Sequence, residues 1–235
     1  MKKISTNFLF PLAASIILIF ALSNQMFDLP PLGKLLDPFI GAVQNNQEKG
    51  LTYPQLIINN MGLNDSVNIF FDDRKVPHIY AKNMDDLYFS QGYVTAYLRL
   101  WQMDFLSYVS AGRLSEMFGK DNFLEYDRKV RRLGIPDAAK KSLTLIENDP
   151  ETNRILTAYS KGVNAYINQL SYKTIPFEYK LLDYKPEPWS NLKTVLILKY
   201  MGTILSGHDE DVSMSNMILA LGEEDFNKIF PEFNS

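Results

Sequence analysis

The hydrophobic positions of the chain change period several times, and each change marks an element. From Phe8 to Leu22 they run for 15 residues without a charge, preceded by Lys2 and Lys3 and followed by small residues. That is the order of a secretory signal, with Ala21 and Ser23 at the small positions before a cleavage point at Asn24. The run is shorter than the ~20 residues that span a bilayer. Met26, Phe27 and Leu29 can extend it into an uncleaved anchor. Residues 1–23 are therefore read as a signal peptide or a membrane anchor. The remainder is expected to be periplasmic or secreted, or else held at the inner membrane facing the periplasm.

Periodicity then stops. Residues 24–50 read as a connector, because Pro30, Pro31 and Pro38 exclude a single helix and "QNNQEKG" is polar. The folded region is expected over 51–235. Val67, Ile69 and Phe71 alternate, "DDRK" follows as a turn, and Pro77 opens a second short strand. The period then lengthens to that of a helix. Asn83 is a cap with Asp85 and Asp86 in the first turn, and helical spacing runs to about Ala111.

This helix, containing "GYVTAYLRLWQMD", is apolar on most sides. Gln91, Thr95, Arg99 and Gln102, spaced 4, 4 and 3, form a single polar stripe. A helix of that kind is buried, so Arg99 is expected to be a buried structural arginine, paired with a carboxylate or with carbonyls. Gly92 within it predicts close packing against a neighbour. Gly112 and Gly119 are stops. "YDRKVRRLG" reads as a solvated basic surface. Asp149 and Pro150 start an amphipathic helix, "PFEYKLLDYKPEPWS" reads as a loop, and further helices cover about 191–206 and 212–221. The pattern is α+β and mostly helical. Two strands do not make a stable sheet by themselves, so it reads as an incomplete fold.

Composition narrows this further. The chain has 235 residues, 46% hydrophobic and 22% charged, with net charge −3 and no cysteine. Disulfides and thiolate metal sites are excluded, and no basic footprint for nucleic acid exists. Catalytic groups are sparse. His78 and His208 are far apart in sequence, and His78 reads as structural. "HDED" at 208–211 is rich in oxygen ligands suited to Ca²⁺, or it is simply favourable charge at a helix start. No P-loop, GxSxG or HExxH pattern occurs.

Six segments occur in one order: "VPHIYA", "QGYVTAYLRLWQMD", "GRLSEMFG", "RRLG", "AYSKGVNAYI" and "YKPEPW". Together they resemble the N-terminal, alpha-chain part of the penicillin acylase family over about Val67–Pro231. The resemblance implies an N-terminal-nucleophile hydrolase with an αββα sandwich, incomplete without its beta chain. It implies a zymogen that cuts itself and a new N-terminal Ser or Cys on the beta chain. That residue attacks an N-acyl amide, its own α-amine acting as base. The nucleophile would then lie outside this chain, and the chain alone would be inactive. It further implies Ca²⁺ shared with the beta chain through Asp211, or Glu210 if the register slips by one.

Met201 and Leu205 fall where the family's alpha chain lines the acyl pocket, although ordinary core packing accounts for them equally well. Leu205 replaces an aromatic found in phenylacetyl-specific members, so an aliphatic acyl group fits as readily. Tyr97-Leu98 stands in place of a polar pair, and Lys75 where the turn carries Gly. The competing expectation is a non-catalytic product: a truncated remnant or a membrane-anchored helical binding protein. The substrate stays open among penicillins, acyl homoserine lactones and other N-acyl amides.

Overall fold

The computed structural model describes residues 6–24, 31–46, 55–57, 62–119, 123–206 and 211–230. Two compact units emerge, residues 1–199 and 200–235. The architecture is mostly helical with one small antiparallel sheet.

The first unit begins with α1 (Thr6–Ser23), α2 (Leu32–Leu35) and α3 (Val43–Asn46). Helix α1 leaves Phe10, Ile17 and Phe20 largely exposed. Among the described residues no helix is long and apolar enough to cross a membrane. Part of the segment read as a connector is thus helical, and it is tied down. Buried Lys180 donates from Nζ to the Gly41 carbonyl at 2.9 Å, and Asn45 donates to the Ile175 carbonyl at 2.9 Å.

Among the described residues three strands form one sheet in the order β1 (Gln55–Ile57), β2 (Asn68–Phe71), β3 (Pro77–Tyr80). The hairpin is β2–β3, with Ile69 opposite Ile79 and Phe71 opposite Pro77. Strand β1 pairs antiparallel with β2 and was not legible in the sequence. The Asp72 carboxylate holds the turn by accepting from the backbone N–H groups of Arg74 (2.9 Å) and Val76 (2.8 Å). Lys75 in that turn has φ 64°, the left-handed conformation expected where a lysine stands in place of glycine. His78 is exposed, with Nε2 3.6 Å from Asp72.

Helix α4 (Met84–Ala111) is the central element. Asn83 caps it by accepting from the Asp86 N–H, and Gly112 ends it in the left-handed region. Its first half packs Phe89, Tyr93 and Val94 on Ile69 of β2 and on Val67 just before it. Its second half joins Ala96, Leu100 and Met103 to Val163, Ile175, Tyr179 and Trp189. It crosses α8 (Pro150–Ile167) at two glycines. A Cβ on Gly92 would overlap the Tyr159 carbonyl oxygen, and one on Gly162 the Phe89 carbonyl oxygen. The two backbones therefore approach as closely as they can only because neither position carries a side chain.

Short helices wrap this pair: α5 (Leu114–Phe118), α6 (Leu124–Arg132), α7 (Ile135–Glu147), α9 (Phe177–Leu181) and the start of α10 (Asn191–Leu205). The stretch "YDRKVRR" forms α6 rather than a plain surface. It buries Val130 and Asp127, and the Asp127 carboxylate accepts from the Leu114 and Ser115 N–H groups at 2.8 and 2.9 Å. Ala139 of α7 meets Val195 and Leu196 of α10 in a third apolar cluster.

In the second unit, α11 (Asp211–Leu221) and α12 (Glu223–Ile229) adjoin one another. Val212, Leu219 and Ile229 are exposed there.

Candidate functional site

Two mostly apolar helices each bury a charge in the core, and the two charges meet. Asp104 on α4 is 1% exposed and Lys193 on α10 is 7% exposed. Lys193 Nζ donates to Asp104 Oδ1 at 3.0 Å, and the Tyr179 hydroxyl donates to Oδ2 at 3.1 Å. From this pair a chain of charges runs outward. Lys193 Nζ lies 3.4 Å from Glu187. Glu187 takes both Arg113 Nη atoms, at 3.0 and 3.3 Å, the two-pronged geometry that makes guanidinium–carboxylate pairs strong. Arg113 Nε donates to Glu116 at 2.8 Å. Its guanidinium lies 4.6 Å from the centre of the Tyr108 ring, and the Tyr108 hydroxyl bonds that of Tyr184.

The electrostatics follow from position. Burial raises the Asp104 carboxyl, and the Lys193 charge and hydrogen bond pull against it without cancelling it. Burial would also raise Glu187. Hydrogen bonds from Arg113 and Tyr108, with the charges of Lys193 and Arg113, outweigh it and hold that carboxyl at about 2. Burial and the neighbouring Asp104 raise the Tyr179 phenol, which therefore stays a donor.

The outer end of the chain opens on a cavity of about 510 Å³. Arg113, Glu187 and Lys193 line it, Arg131 and Lys140 stand at its wall, and Leu192 and Leu196 give it an apolar side. Every carboxylate of the charge chain is already bonded to a cation or a phenol. The arrangement is suited to locking helices together, not to passing protons.

The residues singled out from the sequence lie elsewhere. Arg99 is not buried; it is exposed and donates from Nη1 to Gln102 Oε1 at 3.0 Å. The polar stripe it belongs to faces outward, and α4 breaks at the same point. Arg99 has φ −144° and ψ 26°, outside helical geometry. Gln91 and Gln102 are exposed as well, and Leu98 is 42% exposed, so this side of the helix faces outward. Gly92 is at the crossing with α8. Met201 and Leu205 lie four residues apart on α10, 41% and 75% exposed, so neither packs in a core of the described residues. Asp211 opens α11 and is exposed, and Glu210 and His208 lie outside the described residues. Among the described residues no three His, Asp or Glu side chains gather as a metal site.

Sequence reasoning missed Asp104, Arg113, Glu187 and Lys193 as a set. The available signal was that three of the four residues sit in the segments "QMD", "GRLSEMFG" and "YKPEPW".

The helical body built around these motif residues is of a known class. The fold matches a solved chain of thermostable penicillin G acylase from Alcaligenes faecalis, with TM-score 0.59 and 28% identity. The match covers 70% of this chain and 89% of that one. The sequence model of the penicillin amidase family matches residues 66–235, and the chain belongs to that family. It is 29% identical over 163 residues to penicillin G acylase of Escherichia coli, covering 68% of this chain and 19% of that protein. It is 33% identical over 144 residues to penicillin acylase 2 proenzyme of Pseudomonas sp. (strain SE83), covering 61% and 18%. It is 31% identical over 159 residues to the acyl-homoserine lactone acylase QuiP of Pseudomonas syringae pv. syringae, covering 68% and 19%. The chain thus spans about a fifth of the length of the curated relatives it matches.

Proposed function

We propose that this chain is the alpha-chain part of a self-processing, exported amide hydrolase that cleaves N-acyl amides. The observation that carries the reading is the match to nearly nine-tenths of a solved penicillin G acylase chain, within which the motif residues Asp104, Arg113 and Glu187 form one bonded network. On this reading the chain supplies a helical scaffold to an αββα sandwich. The nucleophile, its α-amine base and the oxyanion donors belong to a beta chain.

Met201 and Leu205 then contribute to the acyl pocket, and their exposure in this chain is what a pocket shared with another chain requires. Asp211, with Glu210 beside it, offers a carboxylate toward Ca²⁺, the other ligands coming from the beta chain. The Lys-led apolar N-terminus supports export, by a cleaved signal or an anchor.

The test is to express the whole coding region from the source DNA and assay release of free amine from penicillins, acyl homoserine lactones and simple N-acyl amides. Self-cleavage to two chains with amine release is the expected result, and this chain by itself should release none. If no self-cleavage and no amine release occur in a folded product, the catalytic reading fails. The family would then mark ancestry, leaving a non-catalytic helical protein.

A further inference from the structure

Beside the break in α4 lies a second cavity, of about 480 Å³, between the β2–β3 turn, α4 and α9. We infer that it binds a small organic carboxylate with a flat apolar body. Its size is that of a small-molecule site.

Among the described residues its lining holds three cations, Arg74, Lys75 and Arg99, and one carboxylate, Glu178. Among the described residues no carboxylate lies within ion-pair distance of Arg74 or Arg99. Arg99 spends one of its five N–H groups on Gln102. This contrasts with Arg113, which is held by two carboxylates. A guanidinium with a free fork is the group that recognises a carboxylate in two-point fashion.

The site is also held in shape before any ligand arrives. The Asp72 carboxylate clamps the turn that carries Arg74. Trp101 lines the cavity and is braced behind by Phe105 (6.0 Å, stacked) and Tyr179 (5.2 Å, edge-on). Tyr97, also in the lining, is braced by Tyr166 at 5.8 Å. Two fixed rings beside two guanidinium groups accept an apolar plate that ends in a negative charge. Glu178 disfavours a ligand with two negative charges, so a monocarboxylate fits best. This inference concerns binding alone and stands independently of amide hydrolysis.

Trp101 provides the readout. The chain has two tryptophans, and Trp189 is 4% exposed in the core. The probe is 3-phenylpropanoate, titrated at low salt with 3-phenylpropanamide as the neutral control. Fluorescence should change saturably with the acid and not with the amide, and Trp101→Phe should abolish the change. Arg99→Gln and Arg74→Gln should each weaken binding about tenfold or more, the effect of losing a charged hydrogen-bond donor. Arg99→Lys should fall between Arg99→Gln and the parent. Circular dichroism checks that each variant is folded, and Arg74→Gln, on an exposed turn, decides the matter if Arg99→Gln is not. No saturable response, an equal response to the amide, or unchanged affinity in folded arginine variants overturns the inference.

Discussion

Lys193 and Asp104 are 89 residues apart in sequence and 3.0 Å apart in space, both buried. The pair joins α10 to α4 at the inner end of a charge chain that also takes in Glu187 and Arg113. A buried pair of this sort adds little net stability compared with apolar residues of the same volume, but removing one partner strands the other.

Asp104→Leu and Lys193→Met should therefore each destabilise the chain by about 3–5 kcal/mol. The double variant Asp104→Leu/Lys193→Met should lose less than either single variant. Chemical denaturation of the three proteins measures this. Additive losses would show that the two side chains are not coupled.

The helix crossing predicts a contrast among glycines. Gly92→Ala and Gly162→Ala must push α4 and α8 apart and should cost about 1–3 kcal/mol or more each. Gly202 on α10 has no atom within 4 Å of its would-be Cβ. Gly202→Ala should be neutral or gain up to about 1 kcal/mol from helix propensity. Thermal midpoints that fall equally for all three would refute the close crossing.

Acid should act on the charge chain through Glu187. Its carboxyl sits at about 2 in the folded chain against an ordinary 4.5. The stability it contributes is complete above about pH 4.5 and is lost as pH falls toward 2. Asp104 is shifted the other way, so its protonation favours the folded chain as pH drops. Denaturant midpoints measured from pH 6 to 2 should fall less steeply in Glu187→Gln than in the parent. Identical slopes would remove Glu187 from the acid response.

The turn residue Lys75 holds φ 64°, a conformation that costs a side-chain-bearing residue about 1–2 kcal/mol. Glycine adopts it freely but loses more entropy on folding. Lys75→Gly should therefore raise stability by up to about 1 kcal/mol, with the hairpin unchanged. A clear loss in the unfolding midpoint would mean that the contacts of the lysine outweigh the strain.

Local rules made much of the fold readable. The caps Asn83 and Asp149, the stops Gly112 and Gly119 and the β2–β3 alternation act within a few residues of themselves, so sequence spacing carries them. The family was legible because its motif residues are spread in order over most of the chain. Strand β1 was not legible, since three residues are too few to carry a period. Helices α6 and α7 were missed because a basic face hides a narrow apolar one, with Val130 and Ala139 as its buried points.

Sequence alone settled the span of α4 and the start of α8, that cysteine chemistry is excluded, and which family the chain belongs to. Only the tertiary structure decided which charge in the apolar helix is buried. Periodicity assumes an unbroken cylinder and places Arg99 inside. The side that carries Arg99 faces outward, while a lysine 89 residues away in sequence pairs with Asp104 in the core. Which face of a helix is covered depends on what packs against it, and that is a property of distant residues.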